Sequence, residues 1–535
     1  MYKRQGRRTY ADLIAKPFIK TQNGADKPKF HFYDLNFKVQ HKLSESHRLY
    51  LSSYVGSDVF QFDERGEFFS DKGGSNWGNI ISSLRWNWEI NPKLFMNTTG
   101  IFSDYEIDIF AESTQVNDIQ NPEPETFSAK YTSGIQDIGL KVDLDYIPNT
   151  DHFIKTGASI IRHKYNPGVI ALNEINISEI LDTILGQEAT FSTEIDMYVE
   201  DDIKLGAFSA NVGIHASFFL AENKNYGSLQ PRLGMNYRLN DRWSVKGSFA
   251  TMTQYINLLT SESLSLPTDL WVPSTENILP QQSWQAAIGA ATTISETYEF
   301  SAEAYYKTMD NVVSYREGAN FFVNLNESWE DKLVQGNGEA YGLELFLQRK
   351  RGKLTGWVGY TLSWNNRQFD EINDGKTFPF RYDRRHDFSI VGVYNYTDNI
   401  TFSANWAYGT GSAVSLGTLN IPTDFEVFSD RFNPNSPSFS LINGVESPVE
   451  KNNYRMSSFH RLDLSVSFHK KKKKYERTWV IGLYNAYGNK NPYFILSEGV
   501  FSEWRPDGTR EYLGQRFREI SLLRFVPSVS YNFKF

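Results

Sequence analysis

The sequence predicts an all-β chain that folds as one large antiparallel transmembrane β-barrel of about twenty strands. Three observations carry this. Apolar residues recur with a period of two, not 3.6, along the whole chain. Tight turns alternate with long connections, the layout of a meander with short turns at one rim and long loops at the other. Finally, 39 Phe, 30 Tyr and 12 Trp make up 15% of 535 residues. Such an aromatic load suits strands with an apolar outer face. The net charge of −8 and mean hydropathy of −0.47 exclude a bundle of membrane helices, and no apolar run reaches the length of a transmembrane helix.

The elements follow in chain order. Residues 1–5 read as foreign: YKRQ is what TATAAGAGACAG encodes, resembling the translated end of a sequencing-library adaptor. The natural barrel sequence is then expected over 6–535, with a first strand at about Arg7–Lys20. The next hairpin turns at SESH (44–47), and further tight turns are expected at NPK (91–93), PNTD (148–151), ND (240–241), RGK (351–353) and TDN (397–399). Strands between them show the alternation directly. In Leu140–Tyr146, Leu140, Val142, Leu144 and Tyr146 oppose Lys141, Asp143 and Asp145. Tyr341–Gln348 and Thr401–Thr410 carry similar apolar rows. Gln282–Ser295 and Tyr298–Arg316 exceed the 9–11 residues that cross a bilayer. A soluble propeller or sandwich has strands nearer 5–6 residues and even loops. Long connections are expected at 61–76, 109–126, 166–186, 259–280, 317–336, 366–379, 413–453 and 501–512.

In Arg461–His469, Leu462, Leu464, Val466 and Phe468 should face lipid, with Arg461, Asp463 and Ser465 facing the lumen. Lys470–Lys474 would be a short-side turn before Trp479–Tyr487; that context makes a nucleic-acid-binding run a poor reading. The last strand, about Gly514–Phe535, puts Phe525, Pro527, Val529, Tyr531, Phe533 and Phe535 on one face. An alternating strand that ends on Phe resembles the sorting signal of outer-membrane barrels.

Several stretches resemble TonB-dependent outer-membrane receptors of the Bacteroidetes type: GRRTYADLI (6–14), residues 29–58, residues 336–364, FPFRYDRRHDFSIVGVY (378–394), FHRLDLSVSF (459–468) and YNAYGNKNPY (484–493), in that order. The resemblance implies a 22-stranded barrel closed by an N-terminal plug. It also implies an outer-membrane location in a Gram-negative bacterium, and import of a small-molecule, glycan or peptide ligand driven by a TonB complex. Gly6 is preceded by no plug or TonB box, so the chain is expected to hold strands three to twenty-two, the parent protein coupling to TonB through its plug. Outer-membrane lipid is the other expected partner; nucleic acid is not.

Candidate ligand contacts are Arg381, Tyr382, Arg384, Arg385 and His386, in the dense cluster RYDRRHD, and Trp271 in the 259–280 connection. Arg forks suit carboxylate or phosphate. The competing reading of the cluster is an Arg/Asp network that braces neighbouring strands. His386 has the opposite strand parity to Asp383 and Asp387 and no second His nearby, so no metal site is expected. Gly336-Asn337-Gly338 reads as a loop-to-strand turn, since no helix or Lys-Ser/Thr follows it. No H-E-x-x-H or G-x-S-x-G motif and no cysteine occurs; neither enzyme activity nor a cofactor is expected. A passive porin and an outer-membrane hydrolase are the rival functions.

Overall fold

The computed structural model describes residues 2–9, 29–66, 69–116, 124–175, 180–186, 188–259, 270–317, 319, 328–421, 445–448, 450–473, 475–502, 512–521 and 524–534. One antiparallel sheet of 22 strands dominates them. Two of its members, Ile180–Gly186 and Phe378–Pro379, are short flaps. The rest form a meander of twenty in which each strand pairs with the next along the chain. Its first strand is Tyr2–Arg8, paired with Lys29–Lys42, and its last is Val526–Lys534, paired with Glu476–Tyr484.

The alternation of rims holds. Connections at 43–46, 92–93, 147–151, 239–242, 350–353, 398–399 and 472–475 share one rim with the end of the last strand. The segments 369–385, 410–421 and 450–458 lie at the other; most of the expected 413–453 loop falls outside the described residues. Three further short connections, 206–207, 221–224 and 294–297, take their places in the same alternation.

Several expectations need correction. The described parts of 61–76 and 109–126 are strand, not loop: His47–Arg65 pairs with Phe69–Asn91 up to Arg65 opposite Ser70, and Leu94–Val116 pairs with Pro124–Tyr146 up to Val116 opposite Pro124. The three strands after His47–Arg65 have 23 residues each, about 78 Å of extended chain. Above a bilayer neither face of a hairpin needs to be apolar, so the period-two signal fades while backbone pairing continues. Polar pairs hold these extensions, such as Lys72 with Glu112 and Ser113 with Asp71 at 2.6 Å. Gly336 and Gly338 are not a turn but lie inside Leu333–Arg349. A Cβ on Gly336 would meet the Gln368 carbonyl at 2.2 Å, so close strand approach is why glycine stands there.

The first strand begins earlier than about residue 7, and residues 2–5, expected to be foreign, pair within it. Arg7 and Arg8 stand opposite Asp34 and Tyr33, not opposite 514–535; residues 10–28 lie outside the described residues. The last strand is shorter than Gly514–Phe535, because Tyr512–Ile520 turns back on Phe494–Phe501 as a separate hairpin. Among the described residues, each edge strand of the sheet pairs with one neighbour only.

The two faces of the wall differ as expected. Leu464 and Phe468 are exposed on the outer face. Arg461 and Asp463 share the inner face, paired at 3.0 Å; Arg461 donates to the Tyr484 hydroxyl (2.9 Å), and Asp463 accepts from the Asn485 amide (2.9 Å). Ile288 is 71% exposed in mid-strand, a placement that hydrocarbon, not water, would favour. Outward aromatic rings form ladders across strands. Toward the long-loop rim, Phe249, Trp284, Tyr306, Tyr341 and Trp364 follow one another with centroids 5.2–6.3 Å apart. Toward the short-turn rim, Trp479 packs on Tyr531 at 4.6 Å.

Candidate ligand-binding mouth

The long-loop rim carries the candidate site, and two structures build it. The first is a hairpin that folds inward. Ile256–Leu259 pairs with Leu270–Pro273. Alternation gives it two faces: Leu259, Leu270 and Val272 are buried, whereas Leu258 stands exposed opposite Trp271. The buried face packs on Ile107, Ile109 and Tyr131, inner-wall residues of strands far from it in the sheet. Tyr315, Trp329 and Leu333 close the cluster from the other side. Inner-wall apolar residues at the mouth would otherwise face water. Covering a Leu or Val side chain stabilises by about 1.5–3 kcal/mol, which drives the hairpin across the lumen.

The second structure is a polar brace. The segment 380–386 follows the bend at Asn373–Gly375, where Asn373 and Asp374 have φ of 55° and 53°. Asn and Asp tolerate that conformation better than other side-chain-bearing residues. Asp383 is 1% exposed. Its carboxylate accepts from the Asn365 amide at 2.8 Å and pairs with Arg455, with Arg385 at 3.6 Å. Arg455 also donates to the carbonyls of Asp383 (2.9 Å) and Gly411 (3.0 Å). Side-chain amides extend the brace. Asn452 donates to the Pro379 carbonyl at 2.9 Å, and the Asn373 side chain accepts from the Lys451 amide at 2.6 Å. Beside this brace lies a cleft of about 340 Å³ lined by Asn373, Lys376, Phe378, Glu450, Asn452 and Arg455, among others.

The sequence-predicted residues separate on this frame. Arg381 stands 5.3 Å over the ring of Tyr382, which is exposed and meets Phe380 edge-on at 5.4 Å. Arg384 is exposed and reaches Asp387 at 3.6 Å. Arg385 covers Trp364 at 4.3 Å and supports Asp383. His386 bonds Tyr360 at 2.9 Å and has the strand parity of the exposed Ile390, the outer face. Trp271 rides on the inward hairpin, away from the others in sequence and on the face opposite its buried side. The bracing reading of the cluster therefore describes Asp383 and Arg385, while Tyr382 and Arg384 are exposed and Arg381 is half-buried. Arg455, Asn452 and Asn373 carry no motif in the sequence. The only local sign is a pair of turn signals, NDG at 373–375 and NN at 452–453.

Deeper in the lumen the inner wall is acidic and polar. His163, 3% exposed, bonds Asp137 at 2.7 Å. Lys155 sits between Glu200 and Asp202 at 3.4 and 3.5 Å, and His215 faces Asp196 at 3.3 Å. Among the described residues no three His, Asp or Glu side chains are placed to hold a metal ion.

Comparison with solved structures finds this fold in outer-membrane transporters. The ferric-catecholate import receptor Fiu from E. coli K12 superimposes with a TM-score of 0.53 at 11% identity, over 88% of this chain and 78% of that one. Copper transporter OprC gives 0.57 at 10%, over 86% and 67%. BauA, the ferric preacinetobactin receptor from Acinetobacter baumannii, gives 0.51 at 9%, over 96% and 80%. No curated protein sequence matches significantly. The family profile described as "TonB dependent receptor-like, beta-barrel" matches residues 16–486. Its members are outer-membrane receptors of Gram-negative bacteria that transport rather than catalyse. By wall topology, rim polarity and that match over most of its length, this chain belongs to the TonB-dependent receptor-like β-barrel family.

Proposed function

We propose that this chain is the barrel of an outer-membrane receptor, of the Bacteroidetes type, that captures a scarce nutrient at its long-loop rim and imports it with energy from a TonB complex. The observation that supports this best is the built mouth: an inward hairpin bridging distant wall strands beside a braced basic segment. Arg381, Tyr382 and Arg384 offer a cation, a ring and a second cation to a ligand carrying carboxylate, phosphate or a comparable anionic group. Trp271 offers an apolar surface; Arg385 supports the segment from behind. His386, on the outer face, contributes to the belt more than to the mouth. Coupling to TonB would run through a plug segment of the parent protein.

The test is uptake. A strain lacking the gene, complemented with the full parent coding sequence, is fed ferric chelates, cobalamin, glycans and peptides one at a time. One nutrient class should depend on the gene and on an energised inner membrane. Arg381→Ala and Trp271→Ala should each lower that uptake by on the order of tenfold, the effect of removing an interface anchor. Uptake that persists after an uncoupler is added would establish a passive porin instead.

A further inference from the structure

At the short-turn rim, Phe459–Lys471 returns as Glu476–Tyr484 through residues 472–475. Residues opposite one another in a sheet share a face. Phe468, Trp479 and Tyr531 form one such row on the outer face, and all three are exposed. Two residues nearer the rim, the next row on that face is Lys470, Arg477 and Phe533. Lys470 and Arg477 therefore stand directly opposite each other, a like-charge pair that destabilises a hairpin by itself.

Nothing on the chain offsets that repulsion among the described residues. The nearby carboxylate of Glu476 is taken by Lys471 at 3.0 Å, and this row (Lys471, Glu476, Lys534) faces the other way. No ion pair joins Asp398, on the adjoining turn, to either cation. Lys472 and Lys473 add two more exposed cations at the turn. An aromatic belt marks the boundary between hydrocarbon and headgroups. The first residues beyond it on the outer face lie at the level of lipid phosphate.

We propose that Lys470 and Arg477 clamp the phosphate of an anionic phospholipid in the leaflet at the short-turn rim. The Arg fork and the Lys ammonium both suit phosphate oxygens, and a bound anion converts the repelling pair into a bridged one. The ligand is a lipid rather than free phosphate because its acyl chains would lie along Phe468, Trp479 and Tyr531. Lys472 and Lys473 supply the net positive field that selects an anionic headgroup over a zwitterionic one. The proposal rests on the membrane placement of the barrel.

The test is native mass spectrometry of the full chain in micelles, offered equal amounts of dioleoyl phosphatidylglycerol and dioleoyl phosphatidylcholine. The native chain should retain the anionic lipid preferentially. Lys470→Gln with Arg477→Gln should cut that preference by roughly 25-fold, since each cation near an anionic surface contributes about fivefold. Arg477→Glu should lose the lipid equally while folding as well as the native chain, because it creates an opposite-charge cross-strand pair. Unchanged lipid preference in both variants would overturn the proposal. Release of the lipid by millimolar inorganic phosphate would overturn the choice of lipid over free anion. Failure of the native chain to insert into any vesicle would refute the membrane placement itself, and this site with it.

Discussion

Replacing Asp383 with Leu tests whether the basic segment at the mouth is held by a buried anion. The carboxylate is fully buried and pairs with Arg455, which is 32% exposed. It also satisfies the Asn365 amide at 2.8 Å. Removing one member of a fully buried pair costs about 3–5 kcal/mol. Water reaches part of Arg455 and screens the orphaned charge, so about 2–4 kcal/mol is expected here, including an unsatisfied amide. The loss should be local: the hydrogen-bonded wall does not depend on this contact. Hydrogen exchange followed by mass spectrometry should therefore show 363–367 and 380–386 exchanging about 30- to 1000-fold faster, a conversion at 1.4 kcal/mol per decade, while Leu140–Tyr146 is unchanged. Asp383→Leu with Arg455→Leu should recover part of the protection, because the uncompensated charge is gone. Unchanged exchange in the single variant would refute the idea that Asp383 organises the mouth.

Other consequences follow from the same geometry. Leu464→Arg should cost about 2–4 kcal/mol if the site lies near mid-membrane, read from urea titration of refolding into vesicles, whereas Ser465→Arg on the inner face should be tolerated. Leu270→Ala should lower the stability of the inward hairpin by about 2–5 kcal/mol and admit a protease to its connection without melting the wall. Gly411→Ala should displace the Arg455 segment, since a Cβ there would meet the Met456 carbonyl at 1.7 Å; its exchange pattern should match that of Asp383→Leu. Lys42 holds the carboxyl of Glu45, on the turn at 43–46, below the usual range. The folded form of Glu45 therefore binds its proton less readily than the unfolded chain. Any contribution of that pair is present above the ordinary carboxylate pKa and is lost as pH falls through the lowered value; carbon-detected NMR titration of Glu45 should show a lowered midpoint that Lys42→Gln raises toward the ordinary one.

The wall was legible in the sequence because one local rule makes it. A strand with one face in hydrocarbon must alternate, so Leu462–Phe468 and Leu140–Tyr146 reveal both their conformation and their facing without any partner in view. Tight turns such as RGK and TDN mark one rim for the same reason: their chemistry is confined to a few neighbouring residues. The Lys-rich turn could be placed by counting strands, but not the opposition of Lys470 and Arg477. That depends on register, which only pairing defines. The long hairpins were hidden because, beyond the bilayer, alternation is no longer required of a paired strand. The mouth was hidden more deeply. Asp383 and Arg455 are 72 residues apart, and Val272 joins the buried cluster that holds Ile107 only after the chain has folded into the lumen. Alternation and turn chemistry, both local, are enough to specify a membrane-type wall with two unlike rims. What fills one rim is set only in three dimensions, because a buried ion pair and an apolar cluster exist only where distant segments exclude water together.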